Sequence, residues 1–270
     1  MTNCPCCYSD RIIRIGEIPK MDTFAGNKLT VALPRNDLFK CKNCNLHFRW
    51  PYLNKEQLAK LYQEGNSESW QYTFKNKVDW QIAANLIKER FTEGSILDIG
   101  CWDGKFLEHL KENYNLYGME INSDAAIKSS KKGINIIAKN IYDAQSLSFK
   151  FDVVTAFDVI EHMENPLIFL EFMSRLVKDN GTIIISSGNT ETLTWKIQGS
   201  RYWYCQNPEH ISFINKKWCF YAAKKLNLQI ELIKKYASLG RFNLIKSISD
   251  VMQNIIYPIT PSLLANFRKV

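Results

Sequence analysis

The stretch Ser95-Ile-Leu-Asp-Ile-Gly-Cys-Trp-Asp-Gly-Lys-Phe-Leu107 decides the fold of this chain. Its apolar, β-branched start is typical of a buried strand, and from Phe106 onward the apolar residues recur at helical spacing. Gly100 and Gly104 lie between the predicted strand and the predicted helix. A strand, a glycine turn and a helix N-terminus bring backbone N–H groups up to a ligand. We therefore predict a ligand-binding turn at this point.

The glycine spacing argues against two common phosphate-binding loops. A dinucleotide fingerprint requires Gly-x-Gly-x-x-Gly, and only Gly100 and Gly104 are present here. A phosphate loop requires four residues between its first glycine and Gly-Lys, whereas three residues separate Gly100 from Gly104-Lys105. The remaining pattern is Asp-x-Gly-x-x-x-Gly, which begins at Asp98. The spacing thus disfavours NAD as the ligand.

An acidic residue follows at the end of the next predicted strand. Leu116-Tyr-Gly-Met-Glu120 places Glu120 twenty positions after Gly100. A ribose diol presents two donors, and one carboxylate accepts both. Together these residues resemble the first motifs of the class I S-adenosylmethionine-dependent methyltransferases, although that family usually has glycine where Trp102 stands. The alternative is an ordinary strand–turn–helix that binds no ligand.

The resemblance implies an α/β fold with a Rossmann-like, doubly wound and mostly parallel seven-stranded sheet, and S-adenosylmethionine as cofactor. Strands and helices alternate from Ser95 onward, which agrees with such a fold. Ligands of these sheets bind beyond the carboxyl ends of the strands, so Asp158 to His162 faces the pocket. The resemblance implies that Asn140 and Ile141 contact adenine. The predicted cofactor-binding residues are Asp98, Gly100, Cys101, Gly104, Glu120, Ile121, Asn140, Ile141, Asp158 and Val159.

Two Cys-x-x-Cys pairs near the N-terminus predict a metal site. Cys4 with Cys7 and Cys41 with Cys44 can place four thiolates around one tetrahedral zinc ion. The role of Cys6 stays open, and buried free thiols are the alternative to a metal site. A closed set of four ligands indicates structural zinc, and we expect this small N-terminal Cys4 domain to lie remote from the reaction pocket.

The residues after the second pair carry a second resemblance. The segment from Cys41 to Pro51 reads Cys-x-x-Cys-x-Leu-x-Phe-x-x-Pro, about thirty residues after Cys-Pro-x-Cys. This pattern resembles the N-terminal zinc region of methyltransferases that modify sugars in bacterial surface-polysaccharide and sugar-nucleotide pathways. With the methyltransferase motifs, the resemblance covers residues 1 to about 240. It implies a sugar nucleotide or a glycan as the acceptor.

The aromatic stretch Arg201-Tyr-Trp-Tyr-Cys-Gln-Asn-Pro-Glu-His210 has no clear periodicity. An aromatic loop beside an active site can stack on a sugar or a base and exclude water. The resemblance implies substrate-binding residues here. We expect His210 to be the general base at a pKa of about 6.5, with Glu209 or Tyr204 orienting it or binding substrate. The alternatives are that His210 packs or caps the next helix, or that His162 is the base.

These patterns divide the chain into four predicted segments. Residues 1–55 form the zinc-binding domain, 56–91 connecting helices, 92–240 the methyltransferase domain and 241–270 a C-terminal amphipathic tail. Apolar residues of the tail recur at helical spacing between Ile245 and Ile255. Such a stripe docks on its own domain, or it contacts a protein partner or a membrane surface.

Charge and cysteine usage bound the surroundings of the protein. The net charge of +8 allows attraction to a diphosphate, an anionic lipid surface or RNA. No run approaches the roughly 20 apolar residues that span a bilayer, and no signal peptide is recognisable. Eight cysteines arranged for metal rather than disulfides favour a reducing compartment, so we expect a cytoplasmic protein.

The sequence as a whole predicts an enzyme that moves a methyl group from S-adenosylmethionine to a sugar nucleotide or glycan by base-assisted SN2 transfer. A zinc-ribbon ribosomal RNA methyltransferase is the first alternative, but the wide spacing of the cysteine pairs and the acid-interspersed lysines argue against nucleic acid. A zinc scaffold with a degenerate methyltransferase fold is the second, because Trp102 and Asn140 depart from the family pattern. The acceptor atom and the oligomeric state stay open.

Overall fold

The computed structural model describes residues 3–24, 27–29, 33, 35–53, 73–141, 143–144, 147–236 and 262–270. The N-terminal region contributes five short strands: β1 (Ile12–Ile18), β2 (Thr23–Phe24), β3 (Asn27–Lys28), β4 (Asn36–Cys41) and β5 (His47–Trp50). Helices and strands then alternate: α1 (Val78–Arg90), β6 (Gly94–Ile99), α2 (Lys105–Glu108), β7 (Tyr114–Met119), α3 (Ser123–Ser130), β8 (Asn135–Ala138) and β9 (Phe151–Phe157). The remaining elements are α4 (Pro166–Leu176), β10 (Val177–Gly188), α5 (Leu193–Gln198), β11 (Ser212–Phe213), α6 (Lys216–Leu226), β12 (Leu228–Tyr236) and β13 (Ser262–Lys269).

A seven-stranded sheet in the order β12-β13-β10-β9-β6-β7-β8 forms the centre of the described structure. β6 pairs in parallel with β7 and β9, and β9 pairs in parallel with β10. The strand that the motif predicts, β6, is buried from Ser95 to Ile99 because helices cover both faces of the sheet. The predicted α/β class, with a mostly parallel and doubly wound sheet, is confirmed.

The last segment of the chain corrects a prediction. Ser262–Lys269 is β13, which pairs antiparallel with both β10 and β12. Leu263, Leu264 and Phe267 are buried because a strand inside the sheet has both faces covered. The tail predicted for residues 241–270 and the domain end at 240 are therefore wrong at this point, while the helical spacing between 241 and 261 lies outside the described residues.

The N-terminal region shares a sheet with the aromatic stretch. β1, β4 and β5 form antiparallel pairs, and β11, which follows His210, pairs with β5. Cys44 and Phe48 belong to the same apolar cluster as Trp218 of α6. The predicted zinc-binding unit thus packs onto the main fold through strand pairing and a common core.

The connecting segment before β6 is described in part. The helix that the sequence predicts from Val78 onward is α1. Its buried residues Ala83, Ala84 and Ile87 belong to an apolar cluster separate from the one that contains Trp218. The predicted helix around residues 55–62 and the aromatic pair near residue 70 lie outside the described residues. None of the described helices has the length and apolar character needed to cross a membrane.

Candidate active site

The glycine turn after β6 is held against the end of β7. The backbone N–H groups of Gly100 and Cys101 donate to the carbonyl oxygen of Met119 at 2.8 and 3.1 Å. Gly100 has φ +74°, and a Cβ at this position would lie 2.6 Å from Cγ2 of Val159. The close approach requires glycine there. Trp102 also has a positive φ, 50°, which is the backbone region where the glycine of the family pattern would be unstrained.

Glu120 lies buried at the end of β7 and binds the turn. Its Oε2 accepts the backbone N–H of Trp102 at 2.9 Å, and its Oε1 accepts that of Asn122 at 2.7 Å. Burial raises the pKa of Glu120, and the backbone donors oppose that rise. Each carboxylate oxygen has a further lone pair, so both remain able to accept a ligand hydroxyl. The side chain faces the cavity rather than bulk water.

Asp98, the first acid of the motif, lies beneath the turn. Its Oδ1 accepts the hydroxyl of Thr155 at 2.7 Å, and its side chain is buried. Burial, together with the nearby carboxylates of Glu120 and Asp79, raises the pKa of Asp98 to about 8. A buried acid with this pKa is protonated at neutral pH in the protein alone. It can therefore receive a cationic ligand group only by giving up that proton.

The predicted adenine contacts lie at one rim of the cavity. Asn140 and Ile141 both line it. The amide Nδ2 of Asn140 donates to Oδ2 of Asp143 at 2.8 Å, and its Oδ1 accepts the backbone N–H of Asp143 at 3.1 Å. The turn thus fixes the amide in place.

A single cavity of about 1330 Å³ joins the predicted cofactor and acceptor residues. Its volume exceeds the 300–1,000 Å³ or so of an ordinary small-molecule site, so two ligands can share it. The predicted site residues that line it are Asp98, Gly100, Cys101, Glu120, Ile121, Asn140, Ile141, Asp158, Val159, Tyr204, Glu209 and His210. Gly104 is not among them. Its role is packing, because a Cβ there would lie 2.3 Å from Cδ1 of Ile134.

A lysine that the sequence pattern does not indicate reaches the cavity between two acids. Nζ of Lys77 lies 2.5 Å from Oδ2 of Asp158 and 3.4 Å from Oδ2 of Asp79. Asp79 is buried and also accepts the hydroxyl of Ser186 at 2.8 Å. Asp158 has φ 52° at the carboxyl end of β9. This group brings charge of both signs beside the glycine turn.

Two histidines at the other end of the cavity each bond a backbone carbonyl through Nδ1. Nδ1 of His210 lies 3.1 Å from the carbonyl oxygen of Tyr204, and Nδ1 of His162 lies 3.0 Å from that of Glu209. A carbonyl oxygen only accepts, so Nδ1 is the donor in both contacts, and a neutral His210 ring then has its lone pair on Nε2. The pKa near 6.5 expected for His210 is wrong, because burial and the nearby His162 lower its pKa well below that value.

Tyr204 orients His210 through its main chain rather than its hydroxyl. The two rings lie 4.2 Å apart between centroids. The Tyr204 hydroxyl instead donates to Oε1 of Glu161 at 2.5 Å and accepts the backbone N–H of Gly188 at 2.9 Å. Oε2 of Glu161 accepts the hydroxyl of Ser187 at 3.1 Å. Burial raises the pKa of Glu161 to about 8. The sequence pattern indicates no separate role for Glu161, although this residue stands in the Asp-x-x-Glu-His segment.

Glu209 bonds His162 through its main chain. Its main-chain carbonyl holds His162, as described above, and its side chain is half-buried at the cavity wall. The contact that the structure gives for Glu209 is thus with His162, and its orienting role toward His210 stays a prediction. Its second predicted role, binding substrate, agrees with its place on the cavity wall and stays a prediction.

Comparison with known proteins identifies the family. Residues 71–231 match the family described as a methyltransferase domain. The chain belongs to this family. Its domain is a class I S-adenosylmethionine-dependent methyltransferase domain. Among its relatives are the ubiquinone biosynthesis O-methyltransferase of Erwinia tasmaniensis, 26% identical over 138 residues, and the mitochondrial enzyme of that name from Saccharomyces cerevisiae, 30% identical over 124 residues.

The alignments cover only part of this chain and part of each relative. The Erwinia match spans 47% of this chain and 55% of that protein, and the yeast match 42% and 39%. The chain thus spans about half the length of these relatives. Among solved structures, the N-methyltransferase NodS of Bradyrhizobium japonicum aligns over 79% of this chain and 97% of its own, with a TM-score of 0.53 at 15% identity. Magnesium protoporphyrin IX methyltransferase of Synechocystis aligns over 81% and 89%, with a TM-score of 0.52 at 13% identity. These likenesses show the fold.

An arginine of the N-terminal region fixes the loop that leads to His210 in this methyltransferase domain. The guanidinium of Arg49 is buried and donates to the carbonyl oxygens of Cys205, Asn207 and Pro208. Burial lowers the pKa of Arg49 to about 10. The charged residue inside the apolar strand His-Phe-Arg-Trp is the signal that the sequence offered for this contact.

Four cysteine sulfurs converge beside the methyltransferase domain. The Sγ atoms of Cys4 and Cys44 lie 3.7 Å apart and those of Cys7 and Cys41 3.5 Å apart, and all four lie within 4.8 Å of one another. Sulfurs bound to a tetrahedral ion at about 2.3 Å lie roughly 3.8 Å apart, so the four fit one metal ion. Cys6 lies outside this set, where its Sγ accepts the indole N–H of Trp218 at 3.4 Å.

The position of the cysteine cluster differs from the expectation. Cys4 lines the cavity together with Asn3, Pro5 and Tyr8. The cluster is therefore next to the cavity, and the prediction of a remote site is wrong. Strand pairing between β5 and β11 brings the N-terminal region against the acceptor end of the domain, which is the physical reason for this placement.

Proposed function

We propose that this protein transfers the methyl group of S-adenosylmethionine to a sugar nucleotide or glycan in surface-polysaccharide or sugar biosynthesis. The observation that carries the proposal is the single cavity, which has the glycine turn and Glu120 at one end and the His210 loop at the other. In-line transfer requires the acceptor atom within about 3–3.5 Å of the methyl carbon, so both molecules must share one enclosed space.

The acceptor side of the cavity supports a sugar nucleotide or glycan. Tyr8 and Trp203 both line the cavity, and 69% and 54% of their side-chain surfaces are exposed. Exposed aromatic faces stack on sugar rings and on bases. The named relatives act as O-methyltransferases, which favours a hydroxyl oxygen as the methyl acceptor.

His210 is the base that we propose. Its Nδ1 is engaged by the carbonyl oxygen of Tyr204, so the Nε2 lone pair is the proton acceptor. We also propose Zn²⁺ as the structural ion of Cys4, Cys7, Cys41 and Cys44. Thiolate sets of this kind are typical of zinc, and reduced cysteines agree with the cytoplasmic location that we propose.

The test is methyl transfer from tritium-labelled S-adenosylmethionine to a panel of acceptors. The panel contains nucleoside diphosphate sugars, lipopolysaccharide fragments, a catechol and a ribosomal RNA transcript. We expect label in a sugar nucleotide or a glycan, with the Glu120→Ala variant as the inactive control. Label in the RNA alone, or in the catechol alone, contradicts the proposed acceptor. Failure of the protein to bind S-adenosylmethionine at all would favour the zinc scaffold with a degenerate methyltransferase fold.

A further inference from the structure

We propose that Glu161 is a positioning residue for the acceptor end, where it holds both arms of the His210 loop, residues 204–211. Glu161 lies in the short segment that follows β9, and it also lines the cavity. This role rests on the proposed function in one respect, since it takes His210 as the base. The contacts that define the role can be measured without any acceptor.

The side chain of Glu161 binds the first arm of the loop. Its Oε1 accepts the hydroxyl of Tyr204 at 2.5 Å, and its Oε2 accepts that of Ser187 at 3.1 Å. Glu161 is 1% exposed, so bulk water does not compete for these bonds. Hydrogen bonds in such an interior are stronger than the same bonds in water. The carboxyl group therefore fixes the position of the Tyr204 hydroxyl.

The end of β10 holds Tyr204 from a second side. The backbone N–H of Gly188 donates to the Tyr204 hydroxyl at 2.9 Å. A Cβ at Gly188 would collide with the Tyr204 ring, so glycine allows the ring to lie directly against the strand. Because Ser187 and Gly188 both belong to β10, the hydroxyl of Tyr204 is attached to the central sheet as well as to Glu161.

The main chain of Glu161 binds the second arm of the loop. Its carbonyl oxygen accepts the backbone N–H of Ile211 at 2.8 Å. Ile211 is the residue after His210, and it is buried. The contacts of one residue therefore lie on both sides of His210 in the sequence. A loop that is held at both arms keeps the residue between them in one place.

Tyr204 connects Glu161 to His210. Nδ1 of His210 donates to the carbonyl oxygen of Tyr204 at 3.1 Å, and the two rings lie 4.2 Å apart between centroids. With the hydrogen on Nδ1, the neutral ring has its lone pair on Nε2, the proposed proton acceptor. A displaced Tyr204 would release the His210 ring from this orientation. Glu161 thus acts on the base through Tyr204 and has no need to touch the acceptor.

The segment that contains Glu161 also contacts the cofactor end. Val159 lies two positions earlier, and a Cβ at Gly100 would lie 2.6 Å from its Cγ2. One short segment therefore lies against the glycine turn and holds the His210 loop. In-line transfer requires the acceptor atom within about 3–3.5 Å of the methyl carbon, so a common support for the two ends favours the reaction.

The test compares two substitutions of Glu161 in the full chain. Glu161→Leu removes both side-chain acceptors. In Glu161→Gln, the amide oxygen accepts the Tyr204 hydroxyl and the amide nitrogen donates to Ser187. Burial raises the pKa of Glu161 to about 8, so a neutral amide is a close substitute at neutral pH. Tyr204→Phe removes the same contact from the other side and keeps the main-chain carbonyl that binds His210.

Tyr114→Phe is the matched control. Tyr114 and Tyr204 are equally buried, each 7% exposed. The hydroxyl of Tyr114 donates to the carbonyl oxygen of Phe91 at 2.5 Å, away from the lining of the cavity. Calorimetric binding of S-adenosylhomocysteine verifies that each variant is folded. Tyr204→Phe carries the test if Glu161→Leu does not fold.

The readout that needs no acceptor is the pKa of His210, measured by NMR on protein labelled in its histidine nitrogens. Burial and the nearby His162 lower this pKa. A loosened loop admits water to the ring, so the pKa should rise toward its ordinary value in Glu161→Leu and in Tyr204→Phe. It should stay low in Glu161→Gln and in the control. The charged neighbours His162 and Arg49 are the same in every variant.

The second readout is methyl transfer to the sugar nucleotide or glycan that the acceptor panel identifies. We expect kcat to fall about tenfold or more in Glu161→Leu and in Tyr204→Phe, with KM for S-adenosylmethionine within about a factor of two. The double variant should lose no more than the larger single loss, because both substitutions remove one contact. Glu161→Gln should keep at least about a third of kcat.

Three results would overturn the inference. The first is a His210 pKa that stays low in both Glu161→Leu and Tyr204→Phe. The second is a kcat in Glu161→Gln as low as in Glu161→Leu, since the carboxyl group itself would then be needed as a proton acceptor. The third is a double variant in which the two losses multiply. If every acceptor of the panel fails while the His210 pKa responds as expected, only the proposed function falls.

Discussion

The two ends of the cavity are assembled in different ways. The cofactor end comes from one run of chain, in which β6, the glycine turn and Glu120 at the end of β7 contact one another within thirty residues. The acceptor end joins residues that are far apart in sequence: Arg49 contacts Pro208 across 159 positions, and Tyr204 contacts Glu161 across 43. Local sequence specifies the first end, whereas tertiary pairing specifies the second.

This difference has a consequence for what substitutions do. At the cofactor end, the side chain of Glu120 binds the turn and is the expected partner of the ribose hydroxyls, so a single substitution removes both contacts. At the acceptor end, the N-terminal region supports a loop of the methyltransferase domain through strand pairing and Arg49. Changes in that region are therefore expected to reduce turnover while cofactor binding remains.

The largest effect is expected from removing a ligand of the cysteine cluster. Cys44→Ser should release the ion and lower the free energy of unfolding by about 4 kcal/mol or more, because the cluster lies in the common core. Elemental analysis and urea unfolding measure both quantities. Cys219→Ser is the matched control, since Cys219 is buried in the same core and is not one of the four converging cysteines. Equal loss of metal in both variants would show that the cluster is not a four-cysteine site.

The next largest effect is expected at the cofactor end. Glu120→Ala removes the acceptor for two backbone N–H groups and for the ribose hydroxyls, each charge-assisted bond contributing about 1.5–3 kcal/mol. Affinity for S-adenosylhomocysteine should fall about a hundredfold in calorimetry. Glu112→Ala, at an exposed position after α2, serves as the control and should bind normally. Normal binding by Glu120→Ala would break the comparison between the two ends.

A smaller effect, confined to turnover, is expected at the acceptor end. Arg49→Met removes three donors from the loop that leads to His210, and kcat should fall about thirtyfold, or ~2 kcal/mol. Cofactor affinity should stay within a factor of two. Partial rescue by Arg49→Lys distinguishes a positioning role from a general loss of packing. A parallel loss of cofactor affinity would contradict the separation of the two ends.

The smallest effect, taken over a single pH unit, is a dependence of stability on pH from Asp98. Its pKa is raised to about 8 in the folded protein, against 3.8 as its ordinary value. Between these values the folded state keeps a proton that the unfolded state has lost, so stability falls as pH rises. Relative to the Asp98→Asn variant, the free energy of unfolding of the cofactor-free protein should fall by about 1.4 kcal/mol for each pH unit up to pH 8. Exposed Asp10→Asn is the control; parallel curves for all three proteins would remove Asp98 as the source.

Prediction from sequence succeeds where the structural cause is local. The apolar strand, the two glycines and Glu120 follow one another along the chain, so their spacing alone places the turn. The cysteine pairs are equally local, although their nearness to the cavity depends on β5 pairing with β11. Cys4 therefore lines a cavity that its own segment of sequence does not indicate.

Prediction fails where distant contacts override the local pattern. The strand around Arg49 does not indicate its partners, because the loop carbonyl of Asn207 that it binds lies 158 positions further along the chain. Glu161 lies in a motif that the sequence assigns to the cofactor, yet its partners are Tyr204 and Ser187 of other segments. The sequence pattern places β13 in a tail, because the helical spacing of the residues before it is the stronger signal. The pairing of β13 with β10 and β12 depends on how the whole sheet assembles, which the residues of β13 alone do not indicate.

The place of β13 has a consequence for synthesis on the ribosome. β12 reaches the central sheet through β13, since the order is β12-β13-β10. A nascent chain that has emerged only as far as residue 236 therefore exposes β10 as an open sheet edge, ready to pair with other chains. Messages cut short before the codon for Ser262 are expected to yield aggregates rather than a smaller working enzyme.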